Sequence, residues 1–85
     1  MFKYLTLWRD NYSLGRPDNR SVGDFIECET AEVVNGLRAE LMGIANGNGH
    51  PNTLNPLFGQ DRLHRHGSWP EWAKMMLLWM SSYKR

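Results

Sequence analysis

The sequence predicts an α+β fold: a small single domain spanning residues 1–85, with a short antiparallel sheet packed by two helices and a long loop between them. Two segments that alternate with period two, at residues 2–8 and 22–29, predict the sheet. Two segments with apolar residues at three- and four-residue spacing, at 30–45 and 68–83, predict the helices.

In residues 2–8, Phe2, Tyr4, Thr6 and Trp8 alternate with Lys3, Leu5 and Leu7, and aromatic and β-branched residues of this kind favour strands. Both faces are largely apolar, which suits a central strand. Residues 9–21 are rich in Asn, Asp, Ser, Gly and Pro and read as a loop. Val22 to Glu29 reads as a second strand, Ile26 and Cys28 alternating with Glu27 and Glu29. It pairs antiparallel with the first, because consecutive strands usually neighbour each other.

Residues 30–45 admit two readings. As a helix, Thr30 is the N-cap, Glu32 suits the positive N-terminal end, and Val34, Leu37, Leu41 and Ile44 form one stripe. As a hairpin, Asn35-Gly36 is a tight turn. The unbroken helix formers Leu37 to Met42 favour the helix. Residues 46–67 are punctuated by Asn46-Gly47, Asn48-Gly49, Pro51, Pro56, Gly59 and Gly67, and read as a long loop carrying one short helix from Asn55 to about Leu63. Over 68–83, Ser68 and Glu71 make a capping box, Pro70 sits in the first turn, and Trp72, Ala73, Met76, Trp79, Met80 and Tyr83 recur at helical spacing. Met75, Leu77 and Leu78 lie off that stripe and leave spare apolar surface.

Composition excludes several classes. With 41% hydrophobic and 22% charged residues the chain is neither disordered nor a fibrous repeat. A lone Cys28 forms no internal disulfide, the N-terminus carries no signal-peptide pattern, and the apolar run Met75–Met80 is far short of a membrane span. The sequons at Asn11 and Asn19 are then chance matches. A cytoplasmic protein with no membrane partner is expected.

The net charge of +1 conceals an uneven layout: +2 over residues 1–20, −4 over 21–60 and +3 over 61–85. No motif supplies chemistry. His50, His64, His66 and Cys28 lack the spacing of a zinc site, so no metal is expected. The glycines from Gly43 to Gly49 follow a helical pattern instead of opening one, unlike a phosphate loop. Cys28 lies between two carboxylates, which disfavour its thiolate. No catalytic residue and no cofactor is expected.

The expected function is therefore a small non-catalytic protein-binding module, an inhibitor or adaptor. Phage-encoded anti-defence proteins, anti-CRISPR proteins among them, are small modules of this kind, a likeness of size alone. The expected contact residues are the acidic strand–helix face, Asp24, Glu27, Glu29, Glu32 and Glu40, and on the last helix Trp69, Met75 and Leu78. The expected partner is another protein, a nucleic-acid-binding complex being one candidate, with the acidic face standing in for phosphates. One alternative is direct nucleic-acid binding through Arg62, Arg65, Trp69 and Lys74, where cations interleave with an aromatic. Another is a homo-oligomeric structural protein that pairs through residues 75–78 of the C-terminal helix.

Overall fold

A computed structural model describes residues 2–13, 15–48 and 51–83. Among these residues there is no strand. Six α-helices follow one another: α1 (Lys3–Trp8), α2 (Asp18–Cys28), α3 (Ala31–Ala45), α4 (Pro51–Phe58), α5 (Gln60–His66) and α6 (Trp69–Ser82). A π-helical turn, Arg9–Ser13, prolongs α1. The fold is all-α, and the expected α+β architecture is incorrect.

The two expected strands fail for separable reasons. Seven residues that are apolar on both faces also describe a short buried helix, and in α1 Leu5 and Trp8, three apart, are fully buried. Residues 2–8 offer no N-cap of their own. Instead the Glu40 carboxylate on α3 accepts from the backbone N–H groups of Tyr4 and Leu5, both at 2.9 Å, doing the work of a cap from 35 residues away. For residues 22–29 the alternation was only part of a longer pattern. The helix starts after Pro17, and Asp18, Ser21, Val22, Phe25 and Ile26 are buried at helical spacing. Residues 9–21, read as a loop, are thus largely helical.

The helix expected over 30–45 forms as α3. Thr30 Oγ1 accepts from the Val33 N–H at 3.3 Å, and Val34, Leu37, Leu41 and Ile44 are buried. The competing Asn35-Gly36 signal has a packing explanation: a Cβ on Gly36 would stand 2.3 Å from the Tyr4 ring, so the glycine lets α1 approach α3. Gly47, at φ +93°, then ends the helix. Its N–H bonds to the Ile44 carbonyl and that of Asn48 to the Gly43 carbonyl, the paired closure of a Schellman motif.

Residues 46–67 hold two short helices, not a loop with one helix at 55–63. Pro56 lies inside α4 instead of opening a helix, and the break falls at Gly59, φ +85°. The capping box at the start of α6 forms, Ser68 Oγ accepting from the Glu71 N–H at 3.3 Å. The helices α3 and α6 are the principal packed pair, with α2 and α1 laid against them. Trp69, Trp72, Ala73, Met76 and Met80 of α6 share one core with the α3 stripe, with Leu5 and Trp8, and with Leu54 and Phe58 of α4.

Candidate functional site

Among the described residues, Asp18 and Arg62 form the most elaborate side-chain cluster. Asp18 is the first residue of α2, where a carboxylate is favoured by the helix dipole, and its side chain is 6% exposed. The half-buried Arg62 on α5 meets it side-on: Nε donates to Oδ2 at 2.9 Å and Nη2 to Oδ1 at 3.0 Å. The Trp72 indole N–H also donates to Oδ2, at 3.2 Å. The remaining arm of the guanidinium, Nη1, donates to the Phe58 carbonyl at 2.9 Å, close to the end of α4, where a cation is favoured. The guanidinium lies over the rings of Trp8 and Phe58, 5.6 and 5.9 Å from their centroids. Trp8, Phe58, Trp69 and Trp72 stack on one another at tilted or edge-on angles. The cluster joins α1, α2, α4, α5 and α6 at one point. Its chemistry is that of a bidentate guanidinium–carboxylate pair set beside aromatic rings.

This geometry internalises much of the expected nucleic-acid surface. Arg62 is committed to Asp18, and Trp69 is 2% exposed with its indole N–H donating to Asn55 Oδ1 at 2.7 Å. Trp69 is therefore a core residue, not a surface anchor, in either binding scheme. Arg65 and Lys74 are exposed, Lys74 standing 3.7 Å from Glu71. His64 is exposed, and His66 meets the edge of Trp79. His50 lies outside the described residues. No group of three His, Cys, Asp or Glu among the described residues converges as a metal set would.

The acidic residues divide. Glu40 is spent on capping α1. Of the other four, Glu27 near the end of α2, Glu29 just past it and Glu32 in the first turn of α3 flank a corner that is helix meeting helix and not strand meeting helix, while Asp24 lies part-way along α2. Asp24 pairs with Arg16, and Glu29 accepts from the Tyr12 hydroxyl. That bond, with some desolvation and the Glu29 charge, pushes the Tyr12 pKa up to about 12. Glu27 and Glu32 are exposed. Glu32 lies in the first turn of α3, where a negative charge is favoured. Glu27 sits near the C-terminal end of α2, where it is disfavoured by a few tenths of a kcal/mol to ~1 kcal/mol. On α6, Met75 and Leu78 are 37% and 58% exposed, while Trp72, Met76 and Met80 bury the other side. Cys28 is exposed. A shallow depression of ≈ 370 Å³ is lined by Gly15, Arg16, Pro17, Arg20 and Asp24.

Asp18, Tyr12 and Arg16 carry no signal in the sequence, because each finds its partner across 8 to 44 residues of chain. No helix among the described residues is long and apolar enough to cross a membrane. The chain matches no protein-family model, no curated protein and no solved structure.

Proposed function

We propose that the chain is a small non-catalytic protein-binding module of the inhibitor or adaptor type, and that α6 presents its principal contact. The observation that supports this reading is the pair Met75 and Leu78. They lie three residues apart on the outer side of a helix whose inner side is core, and Leu78 is 58% exposed. Adjacent exposed apolar side chains, one of them a flexible methionine, suit a surface that desolvates against a protein. The exposed Glu27 and Glu32 at the α2–α3 corner add acidic charge that steers a basic partner. The single cysteine suits a reducing, cytoplasmic setting.

The test is affinity capture from lysate of the source organism, with nuclease present, using the wild-type chain, Leu78→Asp, and Glu27→Lys/Glu32→Lys. Circular dichroism confirms that each variant folds. A stoichiometric protein held by wild type and lost with folded Leu78→Asp supports the reading. Retention by Leu78→Asp but loss by the lysine pair moves the contact to the acidic corner. Capture that nuclease abolishes, and that Arg65→Ala/Lys74→Ala weakens, makes it a nucleic-acid binder. Light scattering that gives a dimer for wild type and a monomer for Leu78→Asp replaces the foreign partner with a second copy.

A further inference from the structure

We propose that Arg62 plugs, in cis, a guanidinium-recognition site, and that α5 is the strap that carries the plug; with the strap swung out, the site takes a guanidinium from outside, most naturally an arginine side chain of a partner. Both oxygens of Asp18 meet the fork of donors at 2.9 and 3.0 Å. The Phe58 carbonyl takes a third donor at 2.9 Å. The rings of Trp8 and Phe58, inclined to each other, have their centroids 5.6 and 5.9 Å from the cation. The Trp72 indole N–H holds Asp18 in place from a helix other than α5. Every wall of this site belongs to α1, α2, α4 or α6, and only the occupant belongs to α5. A planar, delocalised cation meets the Asp18 carboxylate, the Phe58 carbonyl and the two rings at once, whereas an ammonium has neither the fork nor the flat face.

The strap is separable by its construction. Gly59 and Gly67, at φ +85° and +88°, stand at its two ends in conformations that L side chains rarely adopt, each with open space around it. The seven residues between them are too short to be stable as a helix alone. They rest on α4 and α6, through the half-buried Leu63 and the contact of His66 with Trp79. Arg62 is what ties them to α2. This inference stands on the clasp and is independent of the α6 surface.

The experiment uses the full chain with Arg62→Ala, titrated with methylguanidinium and, separately, with methylammonium at millimolar concentration. Binding is followed by the indole N–H resonances of Trp8 and Trp72 and by Tm. Saturable shifts of both resonances and a rise in Tm with methylguanidinium are expected, with methylammonium at least about tenfold weaker. Adding Asp18→Asn should abolish the response. Equal response to the two cations, or none from a folded variant, overturns the site. Hydrogen exchange of the wild-type chain decides the strap, whether or not Arg62→Ala folds. The amides of α5 should open at lower denaturant than those of α3 and α6. Exchange of α5 only through global unfolding overturns the proposal.

Discussion

The pairing of α3 with α6 and the junction of α2, α4 and α5 hold the molecule together by different physics. The first is an apolar seam, with side chains from Val34 to Ile44 and from Trp69 to Met80 in one core. Such a seam degrades gradually, because each methylene lost costs its own transfer and cavity energy. The second hangs on one buried ion pair, Asp18 with Arg62, surrounded by aromatic rings. A buried pair is all-or-none: with both partners it costs little net, and with one removed the other is a buried charge. The small domain thus has a tolerant spine and a brittle joint.

Breaking the joint gives the largest effect. Asp18→Ala leaves Arg62 uncompensated and should cost about 3–5 kcal/mol in denaturant unfolding, a large part of the stability expected for a chain this size. Replacing both partners with apolar residues, Asp18→Leu with Arg62→Met, should recover most of that loss. A double variant as unstable as Asp18→Ala would show that the joint needs its charges for more than mutual compensation.

The spine has its own close approach, with a smaller expected effect. Gly36→Ala raises intrinsic helix propensity yet places a methyl group 2.3 Å from the Tyr4 ring, and should destabilise by about 1–3 kcal/mol. In a Tyr4→Ala background the same change should become neutral or stabilising by up to ~1 kcal/mol, the propensity gain alone. Removing the α6 cap, Ser68→Ala, should cost about 1 kcal/mol, read as a Tm lower by roughly 4–8 °C.

The last effect is confined to alkaline pH and lies at Tyr12, whose hydroxyl donates to Glu29 just past the end of α2. The folded chain holds the Tyr12 proton more tightly than the unfolded chain, because the pKa rises from 10.0 to about 12. Its contribution is complete below pH 10 and is lost as pH climbs through 12. Tyr12→Phe should flatten that part of the stability–pH profile.

The same contrast explains what the sequence made legible. Helices α3 and α6 carry their caps and stripes within their own residues: Thr30 and Val33, Ser68 and Glu71, then apolar side chains at helical spacing. Local pattern was enough. Helix α1 is capped by Glu40, and its aromatic alternation mimicked a strand. Helix α2 begins four residues before the alternating stretch at Val22, so its helical period was hidden by a misplaced start. Of the residues expected at a surface, Glu27, Glu32, Met75 and Leu78 are exposed. Glu40, Arg62 and Trp69 have partners inside the fold at separations of 14 to 44 residues, which no local pattern encodes. Charge and aromaticity identified them as important side chains but not which way they point.

The most direct test of the joint is a double-mutant cycle on Asp18→Ala and Arg62→Ala by urea unfolding of the full chain. The geometry predicts that the two losses do not add, with a coupling of at least about 2 kcal/mol, because the second change removes a charge that the first left buried and unpaired. Losses that add to within ~0.5 kcal/mol would contradict the clasp and make the two residues energetically independent.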